Sequence, residues 1–153
     1  MTTEVAGDPD LRVRALGAVE DEIGVLMRRA RRAVAERAAL VHPDMHPAAY
    51  LMLTQVAACG PVRGSEVGCA LQIDKAAVSR YAQHLLDLGL VDREPDPDDG
   101  RASLLTVSAE GRRRVDAIDE ARRGALAERF STWSDHDLAH LADVLGQYNA
   151  TLS

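Results

Sequence analysis

The sequence predicts a mainly α-helical chain carrying one small β-ribbon, and three observations predict it. The chain opens on a long run of apolar residues at three- and four-residue spacing. Several shorter helical segments with recognisable starts and stops follow, and only two stretches, Val91–Glu94 and Ser103–Val107, read as strands. A length of 153 residues fits one domain, or two small subdomains sharing a core. The composition, 46% hydrophobic and 27% charged, is sufficient for a buried core and argues against disorder.

In the first segment apolar residues recur from Leu11 through Leu16, Val19, Ile23, Leu26, Ala30, Val34 and Ala38. This helical spacing persists for about seven turns, roughly 40 Å at 1.5 Å per residue. A small monomeric core cannot cover that length, so a partner chain is expected. The other side carries Arg28, Arg29, Arg31, Arg32 and Arg37, which reads first as a solvated face. His42-Pro43 and His46-Pro47 interrupt the chain, and Pro47 suits the first position of a second helix over Ala48–Cys59. Gly60-Pro61 ends that helix. Ser65–Leu71 forms a short third helix, which Gly68 weakens, so it depends on packing.

Asp74 caps a fourth helix, Lys75–Leu88, whose inner face is Val78, Ala82, Leu85 and Leu86. Gly89 stops it, with Leu90 making the apolar contact beyond. Pro95 to Arg101 has the chemistry of a chain reversal between the two strands. A two-stranded ribbon is marginal alone and must lean on the helices. Ser108 starts a fifth helix. Ser134 and Asp137 have capping-box spacing at the start of a sixth, with Trp133 and Leu138 at the staple positions. Its apolar stripe runs through Leu138, Leu141, Leu145, Tyr148 and Leu152.

Charge bears on function. The chain holds 18 basic and 24 acidic residues, for a net charge of -6, which excludes a non-specific polybasic binder. Recognition of DNA through a few placed cations remains open. The central helix, tight connection, helix and turn-linked ribbon spell a helix-turn-helix followed by a wing. Such a unit needs short polar and basic side chains near the start of one helix, and a second element gripping the backbone. Lys75, Ala76, Ser79, Arg80 and Gln83 meet the first need, with Arg80 placed for a bidentate contact to guanine or phosphate. Arg101, a lone cation at the tip of an acidic turn, meets the second, and Asp99 is expected to pair with Arg101 or Arg93 and orient it.

The stretch Ile73-Asp74-Lys75-Ala76-Ala77-Val78-Ser79-Arg80, then Leu85 to Val91, Asp96-Pro97-Asp98-Asp99-Gly100-Arg101 and Ser108-Ala109-Glu110-Gly111, resembles the MarR family of bacterial transcriptional regulators. The likeness covers nearly the whole chain. It implies a winged helix-turn-helix with N- and C-terminal dimerisation helices: a flexible N-terminus over 1–10, then a single domain over 11–153. Within that domain, 11–45 is the N-terminal dimerisation helix, 46–107 the DNA-binding region and 108–153 the C-terminal dimerisation helices. It further implies a homodimeric repressor of a pseudo-palindromic operator in double-stranded DNA, with Ser79 and Arg80 in the major groove and Arg101 in the adjacent minor groove. Relatives often release DNA on binding small phenolic or aromatic acids. By that likeness Arg28, Arg32, Tyr50 and Met52 are effector candidates, though Tyr50 and Met52 read equally as packing residues. Two departures favour an alternative, a protein-interaction or ligand-binding module: Gly100 stands where many relatives carry a second wing cation, and Pro61–Ser103 holds five basic against eight acidic residues.

Other chemistries are not expected. No nucleophile elbow, phosphate loop or His-Glu-x-x-His occurs, so the chain reads as no enzyme, with no cofactor and no metal. His136 and His140, four apart beside Asp137, and His42 and His46 read as surface residues. Cys59 and Cys69 read as small apolar side chains, free thiols in a reducing cytosol. With no apolar run of 18 residues and no secretory leader, a cytoplasmic protein without membrane attachment is expected.

Overall fold

The computed structural model describes residues 9–152. Its elements are α1 (Pro9–Val41), α2 (Pro47–Cys59), β1 (Val62–Arg63), α3 (Gly64–Leu71), α4 (Lys75–Asp87), β2 (Val91–Pro95), β3 (Ser103–Val107), α5 (Ala109–Arg129) and α6 (Asp135–Ala150). Most of the tail expected over 1–10 lies outside the described residues; Pro9 and Asp10 already belong to α1. The chain divides into two compact units, one running to Val115 and one starting at Asp116.

In the first unit, α2 is the central element. Pro47 stands at its first position, and Nδ1 of His46 accepts the Ala48 N–H at 3.1 Å, satisfying one of the donors a helix start leaves open. Ala49, Tyr50, Met52, Leu53, Val56 and Ala57 are all buried. α1, 33 residues and so about 50 Å long, packs on α2 near its own C-terminal end, where Ala38 and Val41 are buried. Leu11, Val13, Leu16, Val19, Leu26 and Met27 on the same helix are about half exposed or more. Most of the stripe expected to need a partner is therefore uncovered.

α3 and α4 meet through the turn Gln72–Asp74. Gln72 adopts a left-handed conformation (φ 53°), and the Ile73 N–H donates to the Gly68 carbonyl at 3.0 Å, closing the end of α3. Gly68 has its reason here: a Cβ would stand 2.7 Å from Val78 Cγ2, so only glycine lets α3 approach α4. At the far end of α4, Gly89 (φ 65°) donates to Leu86 and Leu90 donates to Leu85, each at 2.9 Å, the double hydrogen bond expected of a glycine stop.

The expected two-stranded ribbon is a three-stranded antiparallel sheet of order β1-β3-β2. β1 is two residues long, Val62 opposite Leu105 and Arg63 opposite Leu104, and follows directly on Gly60-Pro61. Strand periodicity cannot register over two residues, which is why β1 escapes a pattern search. On the other side β2 pairs from Val91↔Val107 to Pro95↔Ser103.

The first turns of α5 belong to this unit. The Ser108 hydroxyl accepts the Gly111 N–H at 3.0 Å and donates to the Gly89 carbonyl at 2.7 Å. Arg112 donates to the Ala57 carbonyl at 2.6 Å and Arg114 to the Val41 carbonyl at 2.5 Å, satisfying acceptors near the ends of α2 and α1. The boundary between the two units falls at 115/116, inside α5.

The second unit is the remainder of α5 with α6. Ser134 caps α6, its hydroxyl accepting the Asp137 N–H at 3.1 Å and donating to the Asp137 carboxylate at 2.6 Å. Phe130 and Trp133 meet edge to face with centroids 5.1 Å apart. None of the described residues from 116 onward is buried. Leu126, Trp133, Val144, Leu145 and Leu152 are largely exposed. No described helix is long and apolar enough to cross a membrane.

The closest backbone approach offers a test. A Cβ at Gly111 would stand 2.0 Å from the Leu90 carbonyl oxygen, whereas Gly124, on the same helix, faces open space. Gly111→Ala should lower the unfolding free energy by about 3 kcal/mol or more, and Gly124→Ala should raise it by about 0.5–1 kcal/mol. Urea unfolding curves read both; equal effects would show that the Leu90–Gly111 approach is not tight.

Candidate nucleic-acid interface

α4 carries the strip that the sequence expects to face DNA. Its N-cap Asp74 accepts the Ala77 N–H at 2.9 Å, and this bond, ahead of the field of Arg80, holds the Asp74 carboxyl below its usual range. Ala77, Val78, Ala82 and Leu85 are buried against the unit. Lys75, Ala76, Ser79, Arg80 and Gln83 are all exposed, as the three-four spacing requires of the opposite face. The sequence-expected set is thus brought together on one solvent-facing strip running from Lys75 to Gln83 along α4. Gln83 is partly engaged, donating to Asp87 at 2.8 Å one turn later. Short side chains at 76 and 79 keep the strip shallow between Lys75 and Arg80.

The loop from β2 to β3 carries Arg101, exposed at its tip. Four hydrogen bonds shape the loop. Asp96 N–H donates to the Ala102 carbonyl (3.2 Å), Ala102 N–H to the Asp99 carbonyl (2.8 Å), Asp98 N–H to Asp96 Oδ1 (2.9 Å) and Arg101 N–H to Asp99 Oδ1 (3.0 Å). Asp99 thus engages Arg101 through its main-chain N–H and not through its guanidinium. The expected carboxylate–guanidinium pair forms elsewhere: Asp96, not Asp99, is the acid, and Arg63, neither Arg101 nor Arg93, is the base, at 2.6 Å. The reason is burial. Only 3% of the Asp96 side chain is exposed, so its charge must be matched, while Asp99 is solvated. The hydrogen bond from Arg63, then that from the Asp98 N–H, holds the Asp96 carboxyl below its usual range.

Arg63 is the partner of the wing acid that the sequence did not disclose. It lies 33 positions from Asp96 on a two-residue strand; the only local signal was Glu66, whose carboxylate accepts the Arg63 N–H at 2.9 Å at the start of α3. The effector candidates separate. Met52 is fully buried and Tyr50 is 4% exposed, so both pack the core, whereas Arg28 and Arg32 are exposed and Arg32 pairs with Glu36 at 2.8 Å. Cys59 and Cys69 are exposed free thiols and not the buried residues that a small-hydrophobe reading implies. Among the described residues no group of three or more His, Cys, Asp or Glu is placed to hold a metal ion. His46 caps α2 and stacks on Tyr81 of α4, with centroids 5.0 Å apart.

Against models of known families, residues 44–102, from the turn before α2 through the wing loop, match the MarR family. The chain is 28% identical over 106 residues to the HTH-type transcriptional regulator YxaD of Bacillus subtilis, covering 69% of this chain and 74% of that one. It is 36% identical over 80 residues to the HTH-type transcriptional regulator ML2140 of Mycobacterium leprae, 52% of this chain and 56% of the relative. In that second match the chain spans little more than half the relative's length. Among solved structures, RV1404 from Mycobacterium tuberculosis superposes with a TM-score of 0.74 at 20% identity, covering 89% of this chain and 92% of that one, which shows a shared fold.

The Asp96–Arg63 pair predicts acid sensitivity of known sign. Because the folded carboxyl lies below its ordinary value, its contribution to stability is present above about pH 5. It is lost as pH falls past the unfolded value near about 3.9 and through the lower folded one. Asp96→Asn should be less stable than wild type at neutral pH and should lose less on acidification to about pH 3. Thermal melts across that window check it, and parallel acid limbs would refute it.

Proposed function

The chain belongs to the MarR family of winged helix-turn-helix regulators, and from that premise we propose that it acts as a homodimer on double-stranded DNA, repressing transcription from a pseudo-palindromic operator. The observation that carries this reading is the strip Lys75, Ala76, Ser79, Arg80 and Gln83 on the exposed face of α4, backed by buried Ala77, Val78, Ala82 and Leu85. A helix this shallow on its outer face fits the major groove. There Arg80 is placed to reach guanine O6 and N7 or a phosphate, Ser79 a base or phosphate, and Ala76 a thymine methyl. Lys75, in the first turn, joins the helix N–H groups in attracting a phosphate. Arg101, held by its backbone to Asp99, serves the minor groove or its phosphates.

Dimerisation is supported by the uncovered apolar residues of α1 and, separately, by those of α5 and α6. The effector part of the reading rests on the family resemblance; of its four candidate residues, Arg28 and Arg32 face solvent. The second reading, a protein-interaction or ligand-binding module, is favoured by one observation, the excess of eight acidic over five basic residues between Pro61 and Ser103.

Selection of fragments from the source genome by the purified protein, at about 100 mM salt, separates the two. An inverted repeat near promoters supports the regulator; no enrichment by a folded dimer supports the module. On the recovered duplex, Arg80→Ala should cost about 1–3 kcal/mol of binding free energy. Arg101→Ala should weaken binding across sequences and lower the salt slope by about one. A footprint unchanged by both substitutions would refute the proposal. Light scattering at micromolar concentration should report about 33 kDa, twice the 16.5 kDa chain mass; a single 16.5 kDa species would refute dimerisation.

A further inference from the structure

Arg63 lies outside α4 and outside the wing loop, yet it ties that loop to the start of α3. Its main chain pairs with Leu104 of β3, and its N–H donates to Glu66 in the first turn of α3. Its guanidinium Nε donates to Asp96 Oδ2 at 2.6 Å, where the wing loop leaves β2. Asp96 in turn sets both sides of that loop: Oδ1 accepts the Asp98 N–H and its own N–H donates to Ala102, the residue after Arg101. One side chain thus ties the start of the helix-turn-helix to the base of the loop that presents Arg101. It also cancels the carboxylate that would otherwise stand uncompensated beneath that loop.

We infer that Arg63 is a positioning residue for the wing contact: by gripping Asp96 it holds the loop in register with α3 and α4, so that Arg101 and the α4 strip meet one duplex together. This rests on the DNA-binding reading above. A loop hinged only at β2 and β3 can sway, and the ordering of Arg101 then falls at the moment of binding. A loop clamped through a buried carboxylate is ordered beforehand. Arg63 acts here through Arg101 and not on phosphate itself, and that distinction is measurable.

The experiment is a double-mutant cycle on the duplex recovered by the wild-type protein, read by fluorescence anisotropy across a salt series. Arg63→Gln should weaken binding by about as much as Arg101→Ala, tenfold or more, and lower the salt slope by about one. Arg63→Gln with Arg101→Ala should bind no more weakly than Arg101→Ala alone, with no further loss of slope. Arg63→Lys, which keeps a cation near Asp96, should recover part of the affinity. Where Arg63→Gln does not fold, Arg63→Gln with Asp96→Asn removes both charges together and carries the same expectations. Hydrogen exchange at the Arg101 and Ala102 amides of the free protein should quicken in either variant. Additive losses with a slope lower by about two would assign Arg63 its own phosphate contact and overturn the inference, as would wild-type affinity or unchanged exchange. A wild-type protein that retains no duplex removes both readings. Retention that depends on Arg80 and Arg101 but not on Arg63 removes this one alone.

Discussion

The geometry of the interface depends on one close approach in the main chain, at Leu90. Its N–H ends α4 on the Leu85 carbonyl, and its own carbonyl accepts the Ser108 N–H at 3.1 Å just before α5. Gly111 lies against that same carbonyl so tightly that no Cβ fits, and the Leu90 side chain is fully buried while β2 begins at the next residue. The end of α4, the start of the wing and the start of α5 therefore share one residue. Gly89, at φ 65°, supplies the reversal that makes the junction possible. Interiors packed this closely do not deform gradually. The strip on α4 and the sheet behind the wing behave as one body as far as Leu90 and Gly111 stay in contact.

That rigidity matters because the region is acidic by count, and counting misstates the charge a duplex would meet. Of the acids between Pro61 and Ser103, Asp96 is matched by Arg63, Asp74 faces the N-terminus of α4, Asp99 holds the Arg101 amide, and Glu66 the Arg63 amide. A carboxylate bonded to backbone N–H groups keeps its charge, but its field is offset by the dipoles it has recruited. Among the described residues the side chains of Lys75, Arg80 and Arg101 enter no ion pair, though the field of Arg80 reaches the Asp74 carboxylate at the start of the same helix. Composition records eight acids and five bases; placement leaves the cations on the faces that matter.

Much of this was legible in the sequence, wherever a feature is local. Helix stops such as Gly89, caps such as Asp74, Ser108 and Ser134, and the strip from Lys75 to Gln83 each occupy a few consecutive residues, and each appears where the pattern places it. What stayed hidden is non-local. β1 has no periodicity to show, and the Arg63–Asp96 pair spans 33 positions, so neighbours in sequence point to Asp99 while the partner in space is Asp96. Tyr50 and Met52 illustrate a different limit. An aromatic and a thioether on a helix suit a pocket as well as a core, and only burial decides; here they are in the core.

The second unit shows why such a chain reads as half of something. From residue 116 onward α5 and α6 bury no residue, so this pair of helices lacks the packed face from which most helical stability in proteins comes. Leu126, Phe130, Leu138, Leu141 and Leu145 line an apolar groove of about 500 Å³ between α5 and α6 that is open to solvent. On the proposed reading a second copy covers it, and the consequence reaches the DNA. On that reading one wing arginine and the two cations of α4 would make few phosphate contacts, and affinity that rests on few such contacts is weak at cellular salt. Linking two such units in one dimer makes the second engagement intramolecular and multiplies a weak half-site into a strong whole. A modest, largely acidic reader head and an uncovered apolar hairpin are then parts of one arrangement, in which assembly of the dimer sets whether DNA is held at all.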